Sequence, residues 1–157
     1  MTDYKQMTEC LACGSPHLSQ YCNLGMQPLA NNLKDTTDQP DELYPLNVNL
    51  CLNCYHSQLS VAVDRDALYK HYLYVSGTSN TLVKEFNSVA DYIHQNHPGE
   101  ARNVLDIACN DGTFLRAFRK YDWNLWGIDP AENIVEQIRD KDINVISDYF
   151  PLTGAVP

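Results

Sequence analysis

Two short cysteine pairs constrain this chain more strongly than any other feature. Cys10 and Cys13 form one C-x-x-C pair, and Cys51 and Cys54 form another. Two residues between the thiols allow one tight turn to direct both sulfur atoms at a single point, and two such turns supply the four soft ligands that tetrahedral zinc prefers. Because the pairs lie far apart in the sequence, we expect a structural zinc ion to join two distant segments.

Other arrangements of the cysteines stay open at this point. His56, two residues after Cys54, is an alternative zinc ligand, and Cys22 and Cys109 stand apart from both pairs. Disulfides or free thiols are a further alternative, but disulfide frameworks are typical of short secreted chains. The N-terminus lacks the charged and then apolar pattern of a signal peptide, and no stretch approaches the ~18 apolar residues of a membrane span. We therefore expect a cytoplasmic, zinc-binding protein.

The charge of the chain narrows the class of partner. The 157 residues carry a formal charge of −9, from 20 acidic and 11 basic side chains. Nucleic acids and anionic membranes are bound through basic footprints, so we expect neither as a partner. A pocket for one small anionic molecule remains compatible with this charge.

The first of three expected parts, residues 1–65, contains both cysteine pairs and many turn-forming residues. A segment with so little continuous apolar sequence usually needs a covalent or metal staple, which agrees with a zinc-binding domain. Residues 46–50 alternate apolar and polar side chains, which predicts a strand, and residues 58–63 are its expected hairpin partner.

The second part, residues 66–99, is a connecting segment. Residues 66–69 predict a short helix, and an aromatic loop follows. A longer amphipathic helix then begins at a cap formed by Ser79 or Asn80 and ends before Pro98.

The third part, residues 100–157, alternates strands with helices. Apolar runs predict strands at 104–107, 125–129 and 143–146. The helices between them are expected to carry Phe114, Leu115 and Phe118, and then Ile134, Val135 and Ile138. This alternation is typical of βαβ units and a parallel sheet.

The loop after the first of these strands is a candidate ligand site. Asp106 lies near the end of the strand, Ala108 and Gly112 let a ligand approach the backbone, and Asp129 ends the next strand. Ligands of doubly wound sheets bind outside the carboxyl ends of the strands, where Asp129 can accept hydrogen bonds from both ribose hydroxyl groups. A dinucleotide normally needs G-x-G-x-x-G for its pyrophosphate. Because this loop lacks that triplet, the pattern favours S-adenosylmethionine; a purely structural turn with two exposed aspartates is the alternative.

Several short motifs occur in an order that resembles one enzyme family. They are the two C-x-x-C pairs and residues 25–31 (GMQPLAN), 44–46 (YPL), 72–76 (YLYVS), 110–112 (NDG) and 127–130 (GIDP). Together, from Cys10 to Phe150, they are similar to the zinc-containing, S-adenosylmethionine-dependent sugar C-methyltransferases, which act on nucleotide-linked 4-keto-deoxysugars.

The resemblance implies an α/β fold in which a small N-terminal zinc-binding domain precedes the first half (β-α-β-α-β) of a Rossmann-like class I methyltransferase domain. It implies that the four cysteines bind structural zinc and that the loops after the first two strands bind the methyl donor. The residues expected at the donor are Asp106, Ala108, Asn110, Gly112 and Asp129, together with Ser76 and Ser79 if the aromatic loop folds over it. The family usually has glycine at the position of Ala108, and we expect the alanine methyl group to crowd the donor.

The implied reaction removes a proton next to a ketone, after which the enolate attacks the sulfonium methyl group. It needs a base, a donor that stabilises the enolate oxygen, and aligned reactants. By resemblance, Tyr74 in preference to Tyr72 handles this proton or orients the substrate. The alternative is that both tyrosines pack at the seam between the domains, a common use of half-apolar rings.

The chain is shorter than enzymes of this family. Those enzymes resemble a zinc domain, a complete seven-stranded methyltransferase domain and a further C-terminal domain, and their His-Glu-His catalytic segment has no counterpart in the 157 residues. Without later strands, residues 104–107 would form an exposed sheet edge that invites pairing.

Three hypotheses follow. The first is that the chain is the N-terminal part of a sugar C-methyltransferase, which is active only when a C-terminal region or a second polypeptide completes it and is inactive alone. Alternatively, it is a non-catalytic zinc-binding module that docks on a partner chain. A dinucleotide-dependent enzyme is the third.

Overall fold

A computed structural model describes residues 4–97, 99 and 102–152. The chain divides into two compact units, Met1–Leu68 and Tyr69–Pro157. The first is built from antiparallel strands and carries both cysteine pairs, and the second contains a parallel three-stranded sheet with helices. The predicted mixed α/β fold with a cysteine cluster near the N-terminus is thus confirmed. None of the helices in the described ranges combines the length and apolar character needed to cross a membrane.

In the described part of the first unit, five strands form two small antiparallel sheets. β1 (Tyr4–Gln6) pairs with β5 (Val61–Val63), and β2 (Leu18–Pro28), β3 (Leu43–Cys51) and β4 (Ser57–Leu59) form a sheet in the order β2-β3-β4. The strand predicted at 46–50 is confirmed as the centre of β3.

The predicted partner of β3 divides at Ser60. The Ser60 N–H donates to the Asn47 carbonyl at 2.9 Å, and the Ser60 carbonyl accepts from the Met7 N–H at 2.9 Å. Residues before this point pair with β3 and residues after it pair with β1. The single expected hairpin partner is therefore two short strands that belong to different sheets.

The first unit buries few large apolar side chains. Tyr44 and Val61 are buried together with Cys10 and Cys51, whereas large apolar side chains are exposed elsewhere, among them Leu11, Tyr21, Leu24, Leu33, Leu52 and Tyr55. Because so little apolar surface is removed from water, this unit depends on its cysteine cluster for stability.

The second unit is organised around a parallel sheet in the order β6-β7-β8. β6 is Asn103–Ile107, β7 is Asn124–Ile128 and β8 is Ile143–Ile146. Val104 lies opposite Leu125, which in turn lies opposite Ile143. The structure confirms all three predicted strands to within one residue.

Two helices precede this sheet. α1 (Arg65–Tyr69) confirms the short predicted helix, and α2 (Asn80–Asn96) confirms the longer one. The Ser79 hydroxyl accepts a hydrogen bond from the Leu82 N–H at 3.3 Å, so Ser79 is the predicted N-cap. Pro98, which we expected to follow the end of this helix, lies outside the described residues.

The helices that connect the strands are shorter than predicted. α3 is Thr113–Arg116 and α4 is Glu132–Val135. Phe118 and Ile138, expected on these helices, lie beyond their ends. Phe118 is nevertheless completely buried, since the apolar pattern reports burial and a turn that follows a helix can also be buried.

The core of the second unit lies between α2, α3 and β7. Leu115, Phe118 and Leu125 are fully buried, and the Phe86 ring on α2 lies 4.8 Å from the Phe114 ring on α3, centroid to centroid. This packing fixes the positions of α3 and β7 and so of the strand ends from which the loops after β6 and β7 begin.

Ion pairs with Asp140 hold the C-terminal end of α3 and the turn that follows it. The Arg116 and Arg119 guanidinium groups each lie 2.6 Å from a different oxygen of Asp140. These hydrogen bonds, from Arg116 and then Arg119, lower the pKa of Asp140 to about 2.

β6 is an edge strand within the described part of the sheet. Leu105 and Ile107 on this strand are 46% and 50% exposed. An edge with unpaired backbone groups and exposed apolar side chains is a template for another strand.

Candidate functional site

The four paired cysteines form one cluster. Their Sγ atoms all lie within 4.8 Å of one another, with 3.6 Å between Cys10 and Cys54 and 3.7 Å between Cys13 and Cys51. A regular tetrahedron with Zn–S bonds of about 2.3 Å has edges of about 3.8 Å. The cluster therefore has the ligand type, number and spacing of a tetrahedral zinc site.

The two knuckles have the same backbone geometry. The Gly14 N–H donates to the Cys10 carbonyl at 2.8 Å, and the Tyr55 N–H donates to the Cys51 carbonyl at 2.9 Å. Gly14 and Tyr55, each four residues after the first cysteine of a pair, have φ of +73° and +62°. Both turns thus need a residue in the left-handed backbone conformation at this position. Glycine adopts that conformation freely, and tyrosine adopts it only under strain.

Backbone groups of the second knuckle favour the thiolate form of its first cysteine. The N–H of Cys54 and, more weakly, that of Asn53 lower the pKa of Cys51 to about 6 despite its burial. The Asn53 side chain also donates to Cys13 Sγ at 3.7 Å. Because zinc binds thiolates, these donors prepare the site for the metal.

The alternative ligand His56 does not join the cluster. Within the described ranges, the group that can hold a metal consists of the four cysteines, and the His56 carbonyl instead accepts the Cys51 N–H at 2.8 Å.

A second candidate site lies where β6 ends. In the loop that follows, Ala108, Asn110 and Gly112 all have positive φ, of 63°, 51° and 77°. The Ala108 and Cys109 N–H groups both donate to the Ile128 carbonyl, at 2.8 and 3.2 Å. This tight, strained loop is anchored to the end of β7, and strain of this kind is common at ligand sites.

Asp129 joins the loops that follow β6 and β7. Its buried carboxylate accepts the Asn110 N–H at 2.7 Å through Oδ2 and the Ala131 N–H at 2.8 Å through Oδ1. Each carboxylate oxygen has a second lone pair, so Asp129 keeps the capacity to accept hydrogen bonds from a ligand.

Asp106 is a partly buried acid close to Asp129. Burial and then the negative charge of Asp129 raise the pKa of Asp106 to about 6. Hydrogen-bond donors to this carboxylate are absent from the part of the chain that the structure describes. Neither acid forms an ion pair with a cation of the described residues, so the pair forms a negative site.

The cysteine in this loop is a packing residue. Burial raises the pKa of Cys109 to about 12, which makes its thiol a poor nucleophile. A Cβ on Gly127 would lie 2.6 Å from Cys109 Sγ, so glycine at 127 is what allows the thiol to pack there.

The aromatic loop lies against the loop after β6. Asn110 Oδ1 accepts the Ser76 N–H and Asn110 Nδ2 donates to the Tyr74 carbonyl, both at 2.9 Å. Asn110, which we predicted at the donor site, thus holds the aromatic loop with its side chain. Tyr74 is 45% exposed and Tyr72 is half-buried. Ser79 uses its hydroxyl group as the α2 cap.

Sequence reasoning missed Asn133. Its side chain binds both backbone groups of Tyr72, as acceptor at 3.0 Å and as donor at 2.7 Å. An amide that pairs with a distant backbone leaves no periodicity or motif, so no signal in the sequence pointed to it.

A cavity of about 370 Å³ lies beside this region. Gly77, Asp111, Thr113 and Arg116 are among its lining residues, and Asp106 and Asp129 are not. Arg116 lies 3.6 Å from Asp111, so the charges in this cavity already compensate one another.

Residues 10–69 match a methyltransferase-associated family model described as "Putative zinc binding domain". The matched region contains all four clustered cysteines. Together with the sulfur geometry, this match confirms zinc as the metal of the first unit.

One protein similar to this chain is a C-methyltransferase. The chain is 26% identical over 149 residues to C-methyltransferase NovU of Streptomyces niveus, and the alignment covers 93% of this chain. It covers 36% of NovU, so the chain spans about a third of that relative's length. The motif resemblance to zinc-containing C-methyltransferases is thus confirmed.

Solved structures of another methyltransferase show a weaker likeness. Two structures of the plantazolicin methyltransferase BpumL, with SAH and desmethylPZN analogues, align with TM-scores of 0.38 and 0.36 at 20% and 22% identity. The alignments cover 45% and 41% of this chain and 29% and 27% of BpumL.

Proposed function

We propose that this chain is the N-terminal part of an S-adenosylmethionine-dependent C-methyltransferase that acts on a nucleotide-linked keto-deoxysugar. The observation that carries the proposal is the 26% identity to a C-methyltransferase over 149 residues, an alignment that covers 93% of the chain and therefore extends over both units. The three parallel strands serve as the first half of a Rossmann-like domain in this proposal.

The charges at the carboxyl ends of β6 and β7 suit this methyl donor. S-adenosylmethionine carries two cationic groups, a sulfonium and an ammonium, against one carboxylate. Asp106 and Asp129 form a negative site in which neither acid has an ion pair with a cation of the described residues. The spare lone pairs of Asp129 are suited to the ribose hydroxyl groups, and the ammonium group is suited to Asp106. A dinucleotide is disfavoured because the loop after β6 lacks the G-x-G-x-x-G triplet that its pyrophosphate normally needs.

The proposed chemistry needs a base next to the ketone. A base removes the proton, the enolate carbon attacks the sulfonium methyl group, and the electron pair of the broken S–C bond stays on sulfur as the neutral thioether. Tyr74, exposed on the loop that lies against the donor site, is the residue of this chain that we assign to proton handling or substrate orientation, with Tyr72 beside it.

Turnover in this proposal requires further polypeptide. The chain spans about a third of its relative, and β6 presents exposed Leu105 and Ile107 at the sheet edge. We assign this edge to further strands of the methyltransferase domain, supplied in the same polypeptide or by a second chain. The sugar site and the remaining catalytic groups belong to that part.

Isothermal titration tests the donor assignment. The chain is titrated with S-adenosylhomocysteine and, separately, with NAD. The proposal predicts binding of the first and none of the second. Binding of NAD alone would overturn it in favour of a dinucleotide enzyme, and binding of neither would favour a non-catalytic zinc module.

A methyl-transfer assay tests the substrate class. A polypeptide that contains this chain and the completing region is incubated with labelled S-adenosylmethionine and a nucleotide-linked keto-deoxysugar. Label is expected on a carbon next to the ketone. Transfer to oxygen or nitrogen only would contradict the assignment.

A further inference from the structure

We propose that Asn110 and Asn133 are positioning residues that hold one segment, the strap of residues 70–77, across the carboxyl ends of β6 and β7, where it closes over the methyl donor. The inference rests on the proposed function, because it assigns the strap to the same donor site. Neither asparagine is given a role in the chemical step.

The first attachment joins the strap to α4. Asn133 accepts the Tyr72 N–H at 3.0 Å and donates to the Tyr72 carbonyl at 2.7 Å. One amide side chain therefore satisfies both backbone groups of one residue, as a neighbouring strand would. The Lys70 carbonyl also accepts the Glu132 N–H at 3.2 Å, which fixes the start of the strap to the start of α4.

The second attachment joins the strap to the loop after β6. The Asn110 side chain accepts from Ser76 and donates to the Tyr74 carbonyl, so it too uses both amide groups on the strap backbone. The backbone N–H of the same residue donates to Asp129 Oδ2 at 2.7 Å. One residue thus connects the strap directly to the acid that we assign to the ribose.

The end of the strap approaches the loop closely. A Cβ on Gly77 would lie 2.5 Å from Asp111 Oδ2 and 2.8 Å from Thr113 Oγ1. That carboxylate is itself held by the Thr113 hydroxyl at 2.7 Å, so it cannot easily move aside. Any side chain at 77 would push the strap away from the sheet.

These attachments locate the strap at the edge where ligands of parallel sheets bind. It runs from Glu132 and Asn133, which follow β7, to Asn110 and Asp111, which follow β6. The Lys70 side chain adds an ion pair to α4, 3.4 Å from Glu132. The two asparagines hold the strap by its backbone, so the 45% exposed Tyr74 side chain is not part of their hydrogen bonds. A donor that binds Asp129 would therefore stabilise the Asn110 loop and the strap together.

Hydrogen exchange of strap amides tests this arrangement. Exchange at residues 72–77 is measured by mass spectrometry with and without S-adenosylhomocysteine, and residues 124–128 of β7 serve as the internal reference. The ligand is expected to slow exchange of the strap at least threefold. Binding without slower exchange of the strap overturns the inference and leaves the proposed function standing.

Two substitutions, Asn110→Asp and Asn133→Asp, each remove one hydrogen bond to the strap. Each keeps the side-chain oxygen that accepts a strap N–H and replaces the NH₂ group that donates to a strap carbonyl. Without ligand, each variant should speed exchange of the strap about tenfold and leave residues 124–128 unchanged, and each should weaken ligand binding about tenfold. Asn96→Asp, which removes a similar amide bond to the Tyr92 carbonyl within α2, is the matched control and should change neither.

Gly77→Ala tests the position of the strap without changing either asparagine. It displaces the strap by steric contact and keeps both asparagines, so it should reproduce faster exchange and weaker binding. Strap exchange that is unchanged in all three variants without ligand overturns the inference, whether or not the wild-type chain binds the ligand. Absence of ligand binding in the wild-type chain counts against the proposed function alone.

Discussion

Replacement of Asp106 by asparagine should stabilise the ligand-free protein at neutral pH. Burial and the charge of Asp129 raise the pKa of Asp106 from 3.8 to about 6 in the folded chain. The folded state therefore favours the protonated acid, and the free energy of unfolding falls as pH rises from about 4 to about 6. Asparagine is neutral throughout, so the variant should not lose this stability.

The size of the effect follows from the two pKa values. A difference of about 2 units corresponds to about 3 kcal/mol as an upper bound. The carboxylate is only partly buried, so solvent screening reduces this figure. We expect Asp106→Asn to be about 1 to 2 kcal/mol more stable than the wild type at pH 7.5, and nearly equal at pH 4.

Urea unfolding measures this difference. Trp123 and Trp126 both belong to the second unit, so tryptophan fluorescence reports the unit that contains Asp106. Asp122→Asn, at an exposed left-handed position that asparagine also tolerates, is the control and should show no such trend. A variant that is less stable than the wild type at pH 7.5 would refute the assignment of Asp106 as an acid without a counter-charge.

The remaining predictions concern the metal and the strained turns. Cys51→Ser should lose zinc and unfold the first unit, as elemental analysis and circular dichroism would show; retention of one zinc per chain would contradict the four-cysteine site. Tyr55→Gly should relieve the strain of a left-handed tyrosine and raise the stability of the first unit by about 0.5 to 1 kcal/mol, whereas Gly14→Ala should lower it by a similar amount. Thermal unfolding measures both effects. Melting temperatures that shift in the same direction in both variants would refute the equivalence of the two knuckles. Ala108→Gly should bind S-adenosylhomocysteine more tightly in calorimetry, since φ is +63° there and the methyl group is removed; weaker binding would show that Ala108 does not crowd the donor.

The sequence predicted those features that leave a regular pattern. The two C-x-x-C pairs predicted which four cysteines come together in one cluster, because the ligand type and the two-residue spacing are typical of zinc sites. The β6, β7 and β8 strands and α2 were predicted to within about a residue, because their apolar side chains repeat with the period of the element.

Irregular features were missed for physical reasons. β2 (Leu18–Pro28) has two bulges and a Gly25 at φ +72°, and most of its side chains are exposed, so it shows no alternation. The attachments made by Asn110 and Asn133 depend on contacts between residues more than 30 positions apart. Such contacts exist only once the chain is folded, and nothing local encodes them.

The most direct test of the account maps the methyl-donor site on the zinc-loaded chain. Amide NMR spectra are recorded during titration with S-adenosylhomocysteine. We predict that the largest shifts fall on residues 106–112 and 129–131, with smaller shifts in the strap, and that the cysteine knuckles remain unchanged. Shifts confined to the first unit, or saturation by NAD with none by S-adenosylhomocysteine, would contradict the central claim that β6 and β7 present a methyl-donor site.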